Sequence, residues 1–568
     1  MNSAAAVAAP LDDPFYYLTN FEFVLAWVTE RHGDLLGEAE HAFLAAFADL
    51  PRPARALLVR MVMRKGEHFR PSRLAYPEID ADAGDTAAAL VPLVAAGLVE
   101  EAPPLALETL FAQLRLPELR QALADEIRAA GLPAGAGKAV LREALLARDA
   151  SPRPLAAWWP EAPEGVVRLA VMATCDRLRL MFFGNLRQDW SEFVLAELGH
   201  QRFESVPFGV DARAFRRREE VDAYLALHAL RGRLEEGEAP DLLAAALPAR
   251  PANPWLASRH ARLCLALGRQ AERQGEGALA LSLYGRAGWP APAASGEGRI
   301  RLLRLAERRG ETRKALTLAE PLARLTRDEA EAQALGRLLL RLRRRLGLPP
   351  RAISTEPAPE RFTLRLPGPA WVEGAVRDHL HREAAPVHYV ENTLVTGLFG
   401  LLCWEALFAP LPGAFFHPFQ SGPADLYRED FVARRRGRFD ACLARLEAGA
   451  HREAILAAWR DKQGLANPFV HWGALSEALL AQALACIPPA HLRACFERLL
   501  GDLRANRAGL PDLVQFLPEA PAGEPRYRLI EVKGPGDRLQ DNQRRWLAFF
   551  RRHGIPAAVC QLSWEVSA

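Results

Sequence analysis

Pro511-Asp512-Leu513-Val514-Gln515-Phe516-Leu517 is followed, with nine residues between, by Tyr527-Arg528-Leu529-Ile530-Glu531-Val532-Lys533. Both runs are apolar, rich in β-formers and bounded by proline or glycine, so both read as strands. Side chains at i and i+2 share one face of a strand, so Glu531 and Lys533 project together. A neighbouring strand would bring Asp512 beside them. Two carboxylates and one ammonium on one sheet face suit a divalent cation bound to a phosphate. A plain hairpin carrying a surface Glu–Lys pair has the same pattern, and these two runs alone leave both readings open.

The residues that follow favour the first. The turn Gly534-Pro535-Gly536-Asp537 ends the strand, Arg538 to Leu547 begins a helix, and His553-Gly554-Ile555-Pro556 turns into a last apolar strand, Ala557 to Leu562. Strand, strand, helix, strand is an α/β unit rather than an isolated hairpin. Only five of the 72 basic residues are lysines, Lys65, Lys138, Lys314, Lys462 and Lys533. A chain this biased uses arginine where positive charge suffices. Lysine offers a compact donor whose pKa moves on burial, so its presence at position 533 is informative.

At 568 residues the chain implies three or four domains. Half the residues are hydrophobic, a quarter are charged and the net charge is +3, so any nucleic-acid surface must be a local patch. The seven cysteines form no close CxxC pair, which speaks against structural zinc and for a reducing cytoplasm. The N-terminus lacks the basic start of a signal peptide. Leu398 to Phe416, the most apolar stretch, reads as a buried helix because Glu405, prolines and glycines interrupt it. No membrane association is expected.

Residues 1–109 read as a helical, winged-helix-like domain in which Arg64 and Lys65, with His68, Arg70 and Arg73, are candidate phosphate contacts. A solvated basic face fits the same residues. In 110–150, two short helices flank Gly131-Leu132-Pro133 and Gly137-Lys138 opens the second, which resembles the SAP DNA-binding module. Lys138 would meet phosphate at that helix N-terminus. Residues 151–360 are helical and contain a repeat: Ala271-Glu272-Arg273-Gln274-Gly275-Glu276 returns as Ala306-Glu307-Arg308-Arg309-Gly310-Glu311, an offset of 35. This resembles tetratricopeptide-type hairpins. Pro349 to Glu360 reads as a linker, and 361–568 as a C-terminal α/β domain. Arg434-Arg435-Arg436-Gly437-Arg438 is a further candidate for duplex contact. The expected fold is multidomain and mostly α, ending in a restriction-endonuclease-like α/β domain.

Glu391-Asn392 before a buried Leu-Leu-x-Trp helix, Gly509-Leu510-Pro511-Asp512, and Glu531-Val532-Lys533-Gly534-Pro535-Gly536 with Gln543 and Trp546 resemble the VRR-NUC domain of the Fanconi-associated nuclease family in its bacterial form. The resemblance implies a 5′-flap endonuclease with 5′-to-3′ exonuclease activity in interstrand-crosslink repair. It implies Mg²⁺ or Mn²⁺ held by Glu391, Asp512, Glu531 and the carbonyl of Val532. Lys533 would act on the attacking water and Gln543 would support the site. Arg504, Arg507 and Arg538, close in sequence to the acidic core, are candidate phosphate contacts. Asn542 departs from the basic residue that animal relatives tend to carry there, so use of a 5′-terminal phosphate is open. Branched DNA is the expected partner, gripped by a cytoplasmic, nucleoid-associated monomer. Two competing readings remain: a junction resolvase or restriction-type endonuclease on the same core, and a non-catalytic branched-DNA scaffold.

Overall fold

The computed structural model describes residues 13–565 apart from 134, 149–150, 191, 194–201, 210–211, 290–295, 327, 350–357 and 369. The first twelve residues and most of the expected linker therefore lie outside the described residues. The chain forms two compact units. One comprises 1–201, 208–221 and 416–419, and the other 202–207, 222–415 and 420–568.

In the first unit, helices Tyr16–His32, Arg52–Val62 and Thr86–Ala95 accompany an antiparallel sheet of β1 (His68–Phe69), β2 (Val99–Glu101) and β3 (Val167–Leu169), in the order β1-β3-β2. The middle strand comes from beyond the SAP-like segment, on the far side of the boundary expected at residue 151. β1 and β2 do not pair with each other, and β3 bridges them, with Arg168 paired to Glu100 at 2.6 Å. The helix Met172–Phe183 then sets Phe182 edge-on against Phe23 and Trp27 of the first helix. The SAP-like segment has its expected parts. Helices Leu116–Ala122 and Lys138–Leu146 bury Leu119, Leu141 and Leu145 in one core with Trp158.

In the second unit the 35-residue repeat becomes a repeated turn. Helices Pro254–Arg273 and Gly296–Arg308 both end at a left-handed glycine, Gly275 (φ 84°) and Gly310 (φ 82°). There the N–H groups of Glu276 and Glu311 donate to Ala271 O and Ala306 O, each at 2.9 Å. A side chain at either glycine would be strained in this conformation, which explains why glycine recurs with the repeat.

The C-terminal sheet contains β4 (Glu360–Leu366), β5 (Val387–Tyr389), β6 (Leu513–Phe516), β7 (Tyr527–Lys533) and β8 (Ala557–Trp564), in the order β4-β8-β7-β6-β5. β4, β8 and β7 are parallel; β6 runs antiparallel to β7, and β5 antiparallel to β6. The helix Asp541–Arg552 makes the crossover from β7 to β8, with Trp546 buried and its indole N–H donating to Asn506 O at 3.2 Å. Every residue of the helix Leu394–Leu402 is buried, as its all-round apolarity requires. The expected long helix is broken at Cys403 and continues only as Trp404–Leu407. Among the described residues no single helix is long and apolar enough to cross a membrane.

Arginine in this protein often works inside the fold. Arg70 is buried between Glu118 (2.7 Å) and Glu164 (2.6 Å), so it is withdrawn from the expected phosphate-binding cluster. Arg435 is buried in a two-pronged contact with Asp425 at 2.8 and 2.9 Å, and Arg434 binds the same carboxylate at 2.6 Å. That removes both from the expected duplex-contact run. A buried carboxylate needs such partners, and the planar guanidinium supplies two parallel donors.

Candidate active site

Three elements meet at the end of β7. β6 starts one residue after Asp512, and its register with β7 ends at Leu513 opposite Ile530. Val532 thus lies just past the ladder, and its N–H donates to Asp512 Oδ2 at 2.7 Å instead of to a strand partner. In a strand, a residue's N–H and C=O point to the same edge, so the Val532 carbonyl also opens toward Asp512. Glu531 is fully buried, and its Oε1 lies 2.7 Å from Lys533 Nζ, as the shared strand face predicts. Among the described residues its Oε2 has no hydrogen-bond partner.

β5 brings in the third carboxylate from 121 residues upstream of Asp512. It pairs with β6 at Tyr389 opposite Leu513, and Val390 N donates to Asp512 O at 2.8 Å. Glu391 follows. Its carboxylate is exposed, accepts from the Tyr389 hydroxyl at 2.5 Å and from Asn392 Nδ2 at 3.3 Å, and does not cap the helix Leu394–Leu402. Asn392, in a left-handed conformation (φ 51°), accepts from Leu510 N at 3.1 Å and ties this turn to the loop before Asp512. Gly509 in that loop also has positive φ (91°), and a Cβ there would come within 2.8 Å of Asn542. Only glycine admits both the conformation and the close approach.

Burial pushes the Asp512 and Glu531 carboxyls above the usual range. For Asp512 the Val532 N–H and the Lys533 ammonium oppose the rise; for Glu531 the charge of Asp512 adds to it. Glu391 raises both, and Glu373 also acts on Asp512. The surplus of negative charge over one ammonium, a buried carboxylate oxygen without a hydrogen-bond partner among the described residues, and an all-oxygen donor set fit a divalent hard cation. Among the described residues no three acidic, histidine or cysteine side chains already close around one point.

The other expected residues are placed less centrally. Gln543 Oε1 accepts from Gln540 N at 2.8 Å, capping its own helix. Arg504 and Arg507 meet at Tyr427: the Arg504 guanidinium lies 4.9 Å from the ring centre, and Arg507 donates to the hydroxyl and, at 3.0 Å, to Pro468 O. Arg538 is exposed. In the first unit Lys138 is exposed and donates to Leu114 O at 2.9 Å, Arg64 donates to Arg73 O at 2.9 Å, and Lys65 is exposed. Sequence reasoning did not single out Tyr389, Glu373 or Tyr427. Asn392 carried a signal as a residue type that tolerates positive φ.

Residues 446–564 match the VRR-NUC domain, residues 15–100 the description "FAN1, HTH domain", and residues 104–158 the Fanconi anemia-associated nuclease SAP domain. The chain is 51% identical to a Fanconi-associated nuclease 1 homolog from Pseudomonas aeruginosa over 560 residues, 98% of this chain and 97% of that one. It is 25% identical to the Arabidopsis thaliana homolog over 96% of this chain and 67% of that one. The crystal structure of paFAN1 bound to 2nt 5′ flap DNA with gap superposes with a TM-score of 0.91, at 51% identity, covering 98% of this chain and all of that one.

Proposed function

The chain belongs to the Fanconi-associated nuclease family, and on that premise we propose that it cuts branched DNA at 5′ flaps, degrades DNA from 5′ to 3′ and serves interstrand-crosslink repair. The observation that carries this reading is the Asp512–Glu531–Lys533 arrangement in a chain so similar to one solved on 5′-flap DNA.

Family membership implies dependence on a divalent metal, and the oxygen donors of Glu391, Asp512, Glu531 and Val532 favour Mg²⁺ or Mn²⁺. Such an ion supplies positive charge at a phosphate oxygen and lowers the pKa of a water. The chain's own residues do the rest. Lys533 Nζ, already 2.7 Å from Glu531, presents its remaining N–H groups to the attacking water and the phosphate. Asp512 stays oriented through Val532 N–H. In-line attack leaves a 5′-phosphate and a 3′-hydroxyl. Gln543 steadies the helix after β7, and Arg504, Arg507 and Arg538 meet backbone phosphates. Lys138, Arg64 and Lys65 do so on duplex arms, without reading bases.

The division into a winged-helix-like domain, a SAP module, a repeat region and the nuclease domain is part of the same proposal, with the first domain extended to include β3. The protein acts as a monomer in the cytoplasm, on nucleoid DNA. The test is cleavage of end-labelled 5′-flap, 3′-flap, four-way-junction and linear duplex DNA with Mg²⁺ or Mn²⁺. Preference for the 5′ flap supports the proposal. Symmetric cutting of the four-way junction would replace it with the resolvase reading, and metal-independent inertness with the scaffold reading.

A further inference from the structure

Trp371 is the residue before the helix Val372–Leu380 and is 53% exposed. It is held in place all the same. A Cβ at Gly374 would come within 2.2 Å of Trp371 Cε3 and 2.8 Å of Cζ3, so the indole lies directly on the glycine. The Tyr389 ring meets it edge-on, with centroids 5.3 Å apart and planes at 72°. Arg377 brings its guanidinium to 5.4 Å from the indole centre. Gly374 thus seats the indole, Tyr389 closes one edge and Arg377 lies at 5.4 Å, while the residue as a whole stays exposed.

Tyr389 and the neighbour of Trp371 reach two sides of the active centre. Tyr389 donates its hydroxyl to Glu391. Val372, next to Trp371, has its Cγ2 3.2 Å from the position of a Cβ on Gly534, the residue after Lys533. The charges nearby are the carboxylates of Glu373 and Glu391 and the Arg377 guanidinium, which is paired with Asp378 at 2.7 Å, so the balance at this lip is negative and disfavours a phosphate. A nucleobase has no such penalty and gains from stacking on an aromatic face.

We infer that Trp371, seated on Gly374 and edged by Tyr389, is a stacking platform for an unpaired nucleobase beside the scissile phosphate. The inference rests on the nuclease reading of the centre. A base in duplex already has both faces stacked, whereas a flap base has one to give. The platform therefore favours substrates with an unpaired nucleotide at the cut, and Tyr389 links that stack to the position of Glu391.

The test places single 2-aminopurines in the flap nucleotides flanking the cut and reads their fluorescence on the full chain in an Asp512→Ala background. Quenching at one position is expected, lost with Trp371→Ala and with Gly374→Ala, and retained with Trp371→Phe. With an otherwise native centre, Trp371→Ala should slow single-turnover flap cleavage about tenfold, toward the low end of what one base–aromatic stack is worth. Trp371→Phe should recover most of it. Quenching that survives Trp371→Ala overturns the platform, and so does Trp371→Phe cleaving as poorly as Trp371→Ala, which would make the indole a packing residue. Failure of the nuclease reading itself would look different: Asp512→Ala alone would cleave like the native chain.

Discussion

Replacing Lys533 by methionine separates the electrostatics of the centre from its chemistry. The ammonium is 2.7 Å from a carboxylate that is fully buried. Breaking a buried pair and leaving the other charge in place costs about 3–5 kcal/mol. Glu531 has a cheaper course. Burial already holds its carboxyl above the usual range, with Asp512 adding to the rise, and removing Lys533 raises it further. Taking up a proton costs about 1.4 kcal/mol for each unit by which pH exceeds that pKa, so near neutrality, where pH does not exceed the raised value, the loss should stay below about 1 kcal/mol. A carboxyl raised in the folded state binds a proton that the unfolded chain releases. Its contribution is therefore complete below the ordinary carboxylate range and is lost as pH rises through the folded value. The stability gap between Lys533→Met and the native chain, measured by urea unfolding in EDTA, should be small at pH 6 and wider at pH 8. Single-turnover cleavage of a 5′ flap should fall by about 10²–10⁴, the usual scale of a lost proton-handling group. A gap above about 3 kcal/mol that ignores pH would show that Glu531 stays ionised and refute the argument. Cleavage within tenfold of native would remove Lys533 from the chemistry.

Because Asp512 and Glu531 hold protons above the usual carboxylate range, metal binding must displace them. Calorimetric Mn²⁺ affinity should rise with pH by up to about tenfold per unit for each proton released, and a flat profile would contradict the raised carboxyls. Gly509→Ala puts a Cβ at positive φ and against Asn542. It should destabilise by about 1–3 kcal/mol and reduce cleavage through displacement of Asp512, and a variant with unchanged melting and rate would contradict the tight loop. In urea unfolding Arg435→Ala should cost less than the about 3–5 kcal/mol of a fully unpaired buried charge, because Arg434 stays on Asp425, while Arg435→Met combined with Asp425→Leu should recover most of the loss. Equal losses in the two variants would mean that the ion pair is not the source.

Local order in this chain was legible, and long-range partnership was not. β6, β7, the following helix and β8 could be read because alternation, turn residues and an i, i+2 pair are all encoded within some fifty residues. The repeat turns could be read because Gly275 and Gly310 share one conformation. The resemblance named Glu391, but nothing local indicated that β5 would pair with β6 and hand its carboxylate to Tyr389. Nor could composition tell which arginines go inside. Arg70 and Arg435 sit in runs that look solvated, and their acceptors Glu118, Glu164 and Asp425 lie 48, 94 and 10 residues away. β3 was missed for a similar reason: three residues carry too little pattern to announce a strand that completes a distant sheet.

The most direct test of the account is single-turnover cleavage of a 5′-flap substrate by the native chain and by Asp512→Asn. Each is measured with Mg²⁺, with Mn²⁺ and with EDTA, alongside flap binding by fluorescence anisotropy. The account predicts metal-dependent cutting by the native chain, loss of cutting in Asp512→Asn, and DNA binding retained in both. Cutting by Asp512→Asn at the native rate, or cutting by the native chain that persists in EDTA, would contradict it.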